Sequence, residues 1–234
     1  MRRIKSLELL DSPIIAPADL AGNLRDITRL NAWTGNTAQL LTRIDQLLPR
    51  RSASSAVVLD IGSGAGDLPG ALLAWAAKHN GHLVVYGSDR HAGVIDYARQ
   101  HSRATRWLRM DALCLPFTDL AVDVTICAQM IHHLEPGSIR ELLGEMRRVS
   151  RIGFVLMDLE RSTAAYIGLW LLTRLTSRNR LTLHDGPLSV RRAYTRCEIR
   201  TIAADESLHI SSLFPFRWVA TWIRPANLRP AGPA

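Results

Sequence analysis

The apolar positions of this chain follow two different periods, and the change between them divides it. Up to about residue 50 they recur at helical spacing: Leu20, Leu24, Ile27 and Leu30 share one face, as do Leu40, Leu41, Ile44, Leu47 and Leu48. A helical N-terminal extension over residues 1–52 is therefore expected, broken by Pro49 and the polar run at 50–55. From there to about residue 160, short apolar runs alternate with longer amphipathic stretches. Strands are expected near 56–61, 82–89, 105–109, 121–128 and 152–157, with helices near 67–79, 92–101 and 137–149. These runs are apolar almost throughout, which implies a parallel sheet covered by helices on both faces.

Beyond residue 160 the alternation is interrupted. An apolar helix is expected over 164–172, followed by a polar loop that ends in Leu183-His-Asp-Gly-Pro187. Thr195 and Glu198 have the spacing of a capping box, so another helix should begin near Arg196. Two apolar segments at 208–213 and 218–223 flank Phe214-Pro-Phe-Arg217. Residues 225–234 are rich in Pro and Ala and are expected to form a flexible tail after a single domain spanning 1–224. An insertion at 161–189 lies after the fifth strand and therefore over the carboxyl ends of the strands, where ligands bind in such sheets.

Composition narrows this picture in three ways. At 234 residues one core suffices, burying roughly 70% of the unfolded surface. Cys114, Cys127 and Cys197 have no metal-ligand spacing, so no metal is expected, and their scatter points to a reducing, cytoplasmic setting. The net charge of +8 invites a nucleic-acid reading, but the arginines are spread along the chain without an interleaved aromatic stripe. Arg99, Arg103 and Arg106 fit one solvated helix face, and no specific nucleic-acid partner is expected. Glu8 and Asp11 interrupt the apolar start, which excludes a signal-peptide reading, and the run at 163–173 is too short to span a bilayer.

The candidate chemistry concentrates at Asp60-Ile-Gly-Ser-Gly-Ala-Gly-Asp67. Gly62, Gly64 and Gly66 allow a tight turn and close backbone approach to a ligand at the start of a helix. A dinucleotide fingerprint would need glycine where Asp67 stands, and no phosphate-binding Lys-Ser/Thr loop occurs. Carboxylates at Asp60 and Asp67 would repel a pyrophosphate yet suit a ligand with an ammonium, a sulfonium and ribose hydroxyls. S-adenosylmethionine is such a ligand.

At these residues the chain resembles the class I S-adenosylmethionine-dependent methyltransferases, and the resemblance runs in order from about residue 55 to 160. It implies a Rossmann-like α/β fold, a seven-stranded, mostly parallel sheet with an antiparallel last strand. It also implies cofactor contacts from Asp60, Gly62, Ser63, Gly64, Gly66 and Asp67, from Asp89 and Arg90 at the ribose, and from Asp111 and Ala112 at the adenine. Gln129, a further implied cofactor contact, opens Gln129-Met-Ile-His-His-Leu134, which is similar to a segment of many small-molecule members. S-adenosylhomocysteine would be the product.

Methyl transfer from a sulfonium to a protic acceptor calls for alignment and removal of a proton. An imidazole, which ordinarily titrates near pKa ~6.5, suits that task. His132 is the first candidate, then His184, then His133; one of the adjacent pair could instead cap or pack the next helix, and His184 could be a surface residue. Asp158, Trp170, Arg192 and Tyr194 are candidates for the acceptor side. Asn23-Leu-Arg-Asp-Ile27 with Asn31, Asp158-Leu-Glu-Arg161, His184-Asp-Gly186 and Ser189-Val-Arg-Arg-Ala-Tyr-Thr195 resemble a narrower group, the methyltransferases encoded beside type III polyketide synthases in bacterial phenolic-lipid pathways. That resemblance implies a small, apolar aromatic acceptor, O-methylation, and peripheral contact with the inner membrane face. C-methylation of a quinol or polyketide, RNA methylation and a non-catalytic cofactor-fold binding protein are the alternatives.

Overall fold

The apolar runs become strands and the amphipathic stretches become their covers, as both are in the computed structural model, which describes residues 1–12, 14–48, 55–79, 81–102 and 105–225. The strands are β1 (Ala56–Ile61), β2 (Leu83–Asp89), β3 (Arg106–Arg109), β4 (Val122–Ala128), β5 (Ser150–Leu159), β6 (His209–Leu213) and β7 (Arg217–Ile223). They form one sheet in the order β3-β2-β1-β4-β5-β7-β6. The first five are parallel, and β7 runs antiparallel between β5 and β6. Strand order reverses between β1 and β4, so the loops that leave their carboxyl ends diverge and open a crevice.

Alternate residues of each strand feed two cores. Leu59, Ile61, Cys127, Phe154 and Leu156 point to one face, where Leu142 and Met146 of α5 (Pro136–Val149) and Trp218 close over them. Val58, Val124, Ile126, Val155 and Met157 point to the other. There α2 (Asn36–Asp45) supplies Leu40 and Ile44, and α3 (Asp67–Lys78) supplies Leu68 and Leu72. Burial on both faces explains why these strands read as unbroken apolar runs.

Three segments differ from the sequence reading. The N-terminal extension is helical only from α1 (Pro17–Trp33); before it the chain is an extended strap with a single 3-10 turn at Leu9–Asp11. Pro17 sits at the first helical positions, where its missing N–H is harmless, and so fixes the point where the strap becomes a helix. After β5, α6 (Thr163–Thr176) extends past the expected end, and the expected polar loop is a helix, α7 (Arg180–Arg192). Asn179 caps α7 by accepting from the backbone of Leu181 and Thr182, and packing against α6 and the strap holds it despite Gly186 and Pro187. Arg106 lies on β3, whereas Arg99 is on α4 (Ala92–His101), so the two do not share a helix face. The capping box at Thr195 and Glu198 does start α8 (Arg196–Ala203). The breaker at 49–54, Arg103 and the tail from 226 lie outside the described residues.

Candidate active site

β1 delivers Asp60 into the crevice, and the backbone then turns through Gly62, Gly64 and Gly66, all at positive φ. At Gly64, φ +52°, a Cβ would point into open space, so this side of the loop is free for a ligand. Gly66 is bound for a different reason: a Cβ there would lie 2.7 Å from the Trp107 indole. Ser63 staples the loop to β2, donating to the Asp60 carbonyl at 2.9 Å and accepting from the Ser88 amide at 3.0 Å. Burial pushes the Asp60 carboxyl up to about 7, Asp67 and Asp89 add to the rise, and a Ser63 hydrogen bond opposes it. Burial also raises Asp67 and Asp89. One buried carboxylate and two half-buried ones around a loop with open backbone fit a ligand that brings positive charge and hydroxyl donors.

The N-terminal helices meet this cradle through amides. Asn31 of α1 donates to Asp67 at 3.0 Å and accepts from Gln129 and Asn36, each at 2.8 Å. Gln129, at φ +53°, follows β4 and donates its own backbone N–H to Met157. The network therefore ties α1 and α2 to the loops after both β1 and β4. Asp111 accepts from the Leu113 amide at 2.9 Å in an exposed turn beside the sheet edge, with Ala112 packed against the core.

On the β4 and β5 side the structure brings His132 and Asp158 together. Nδ1 of His132 donates to Asp158 Oδ1 at 2.8 Å, and the same carboxylate accepts from the backbone N–H groups of His132 and Leu159 at 2.8 and 2.7 Å. Side-chain exposure is 5% for His132 and 1% for Asp158. With Nδ1 committed, Nε2 carries the lone pair, and it faces Glu8 of the strap, Oε1 lying 3.7 Å away. Burial raises the Glu8 carboxyl to about 7, against the opposing effects of His133, Ser189 and Arg192. His133 donates to Asp11 at 2.9 Å. Burial alone would raise Asp11, but hydrogen bonds from His133 and Arg192 hold it below the usual carboxylate range.

The strap is what closes this region. Leu9 and Leu10 donate their backbone N–H groups to Asp185 of α7, and Ile4 donates to Arg191. Leu10 packs against the cluster formed by Leu20, Leu24, Val94 and Ala65 of the glycine loop, and Asp11 reaches to 3.7 Å from Arg90, the residue after Asp89 at the end of β2. Glu8 and Asp11 are visible in the sequence only as charges in an apolar start; nothing in their spacing links them to histidines so far along the chain.

The other acceptor-side candidates separate. Asp158 is spent on holding His132. Arg192 is buried, donating to Asp11 at 2.7 Å and to the His132 carbonyl at 3.3 Å, so it braces the histidine turn. Tyr194 belongs to the main core, donates to the Leu134 carbonyl and carries Arg3 over its ring. His184 lies on α7, half exposed and bonded to Asp185 at 2.7 Å. Trp170 is on the outer face of α6, 40% exposed under Arg174, whereas Leu169 faces inward against the cluster of Leu159, Ala165, Val190 and Ala193.

A glycine loop after β1, an acidic end to β2, an acidic turn after β3 and a sheet closed by an antiparallel β7 define the class I methyltransferase fold. Residues 58–153 match a family described as a methyltransferase domain. Among characterised relatives, a tRNA (carboxymethyluridine(34)-5-O)-methyltransferase of Saccharomyces cerevisiae is 32% identical over 143 residues, which is 61% of this chain and 44% of that protein. The chain thus matches less than half the length of that relative. A SAM-dependent methyltransferase from Aquifex aeolicus superposes with a TM-score of 0.59 at 16% identity, covering 90% of this chain and 99% of the other. Magnesium protoporphyrin IX methyltransferase from Synechocystis PCC 6803 with bound SAH gives 0.54 at 18% identity, covering 87% and 85%. Residues 58–153 are thus similar to a methyltransferase domain, and the cradle suits S-adenosylmethionine.

Proposed function

We propose that the protein transfers a methyl group from S-adenosylmethionine to the oxygen of a small, apolar aromatic acceptor. One observation carries the small-molecule part: the His132–Asp158 pair is buried beneath the strap and α7, next to the cofactor loop, where an extended polymer has little room. When bound, the cofactor supplies an electrophilic methyl on a sulfonium. The chain's own part is to hold it, with Asp89 for the ribose, Asp111 for the adenine amino group and Asp60 with Asp67 for the methionine end. Asp158 fixes the His132 tautomer so that Nε2 is the proton acceptor. Taking up a phenolic proton at that atom, in a water-poor site, fits general-base catalysis.

The phenolic-lipid reading draws support from α6. Ile167, Trp170, Leu171 and Leu175 are exposed on its outer face, 57%, 40%, 49% and 74%, with Arg174 among them. That is an apolar surface with a cation at hand, suited to the edge of a membrane from which a greasy acceptor is collected. No helix among the described residues is long and apolar enough to cross a membrane. Incubation of the chain with labelled cofactor and a panel of alkylresorcinols and alkylquinols tests the reading. Methyl ethers should form; ring-methylated products would move it to C-methylation, and no product with any member would remove it.

RNA is the second reading, favoured by the charge of +8 and by the yeast tRNA methyltransferase match. Against it, many arginines are already paired with carboxylates of the chain: Arg148 with Glu145, Arg151 with Asp123, Arg161 with Glu198, Arg192 with Asp11 and Arg196 with Glu160. Tight, structure-selective tRNA binding at physiological salt, with methyl incorporation, would decide for RNA.

A further inference from the structure

His132 and His133 are held in the same way. Each directs Nδ1 to a carboxylate, Asp158 at 2.8 Å for one and Asp11 at 2.9 Å for the other. With both Nδ1 atoms donating, both Nε2 atoms present lone pairs, and both face one carboxylate: His132 Nε2 is 3.7 Å from Glu8 Oε1, and His133 Nε2 is 3.7 Å from Glu8 Oε2. The rings are 4.3 Å apart between centroids, and all three prospective ligand atoms lie within 4.8 Å of one another. Lone pairs opposed to a carboxylate, at a separation too long for a hydrogen bond, repel unless a cation lies among them. A proton can serve one such contact, whereas a divalent ion serves both.

The surroundings agree. The charged groups around Glu8 are Asp11, Asp185, Arg192 and the two histidines, with Asp158 behind His132. Arg192 spends its short contact on Asp11 at 2.7 Å and stands 3.8 Å from Glu8, while Ser189 donates to Glu8 at 2.9 Å. Four carboxylates therefore gather with Arg192 and with Arg90, which stands off Asp11 at 3.7 Å, leaving an excess of negative charge that a divalent ion would offset. A donor set of two imidazoles and one carboxylate, each imidazole backed by an outer carboxylate, is how zinc-class ions are held with positions left open. Metal–ligand bonds of ~2.0–2.2 Å in tetrahedral array put ligand atoms ~3.4 Å apart, so each imidazole need approach Glu8 by only a few tenths of an ångström, and no pair of ligand atoms need close by more than about 1.4 Å, to complete the site.

We propose that Glu8, His132 and His133 form a binding site for a divalent transition-metal ion of the zinc class, with Asp158 and Asp11 as the outer carboxylates that orient the two rings. Glu8 comes from the strap, so metal binding would also pin the strap across the crevice. An ion on Nε2 takes the lone pair that the general-base reading gives to His132, so the two are alternative states of one site, proton acceptor when empty and ligand when loaded. The remaining coordination positions would take water or an acceptor oxygen, and only that last use rests on the methyl-transfer reading.

The full chain, stripped with a chelator, is titrated with Zn²⁺ in competition with a chromophoric chelator and with Co²⁺ followed by visible absorption. One ion per chain is expected, with the intense Co²⁺ bands of a low-coordinate site. Glu8→Gln and His133→Asn should each weaken binding by more than the ~10- to 100-fold expected for Asp11→Asn, an outer-carboxylate change. Exposed His209→Ala should bind like the parent. S-adenosylhomocysteine binding measured on every variant shows that the fold is intact, and two independent ligand variants guard against one that fails to fold. Absence of stoichiometric binding, or equal affinity in parent, Glu8→Gln and His133→Asn, would overturn the site. Stoichiometric, ligand-dependent binding together with no turnover of phenolic acceptors would uphold the site and count against the acceptor reading alone.

Discussion

Replacing Asp158 by asparagine isolates what the β4–β5 end of the sheet contributes. The carboxylate is 1% exposed and accepts from three donors, His132 Nδ1 and the backbone N–H groups of His132 and Leu159, at 2.7–2.8 Å. An asparagine of the same shape keeps one acceptor oxygen and turns an NH₂ toward the rest. At least one buried donor is then left unpaired, costing ~1–3 kcal/mol. For a chain of this size that corresponds to a fall in Tm of roughly 2–12 °C. The functional effect is separate in origin. The asparagine NH₂ favours His132 with its lone pair at Nδ1, so the proton moves to Nε2, the atom that must accept from the substrate or bind a cation. A loss of ~10²- to 10⁴-fold in kcat is expected on a turned-over acceptor, with S-adenosylhomocysteine affinity unchanged. Differential scanning calorimetry reads the first effect and S-adenosylhomocysteine release the second. A variant that melts with the parent and keeps kcat within about threefold would show that Asp158 neither satisfies these donors nor sets the tautomer, and the site as described would fall.

Other changes read other parts of the molecule. Asp89→Ala and Asp111→Ala should each weaken S-adenosylhomocysteine by ~1–3 kcal/mol in calorimetry without loss of fold, and unchanged affinity in both would remove the cofactor assignment. Asp60 carries a carboxyl raised to about 7, so its contribution to stability is full where it is protonated, below the ordinary carboxylate range, and is lost as pH rises through about 7. A bound ammonium favours the carboxylate, so cofactor binding at pH 6 should release protons, seen as a dependence of the calorimetric heat on buffer ionisation enthalpy; proton uptake would contradict the placement. Trp170→Ser should reduce sedimentation with anionic vesicles while leaving Tm near the parent, because Trp170 is outside the core. Leu169→Asn, by contrast, removes inward packing against the Leu159, Ala165, Val190 and Ala193 cluster and should lower Tm by several degrees; equal Tm effects for the two would mean that α6 has no distinct outer face.

What the sequence determined is whatever depends on neighbours in the chain. The period of its apolar positions sets β1 to β5 and the covering helices, because burial on two faces must appear as unbroken apolar runs joined by amphipathic stretches. The glycine loop is equally local, since positive φ at Gly62, Gly64 and Gly66 is a property of those residues. So is the start of α8, written in Thr195 and Glu198. What only the tertiary structure decided depends on groups brought together from afar. α7 is helical through Gly186 and Pro187 because α6 and the strap bury it, which outweighs a composition suited to a loop. Tyr194 reads as a pocket residue and is core, and Trp170 reads as pocket wall and faces outward, because periodicity marks a face as apolar without saying what lies opposite. The choice among His132, His133 and His184 was open in the sequence for the same reason. What surrounds His132 and His133 is set by Asp158 on the next strand and by Glu8 and Asp11 on a strap folded back from the chain's start. The hydrogen bonds and charge contacts that give an imidazole its role act over a few ångströms in space, and distance along the chain carries no record of them.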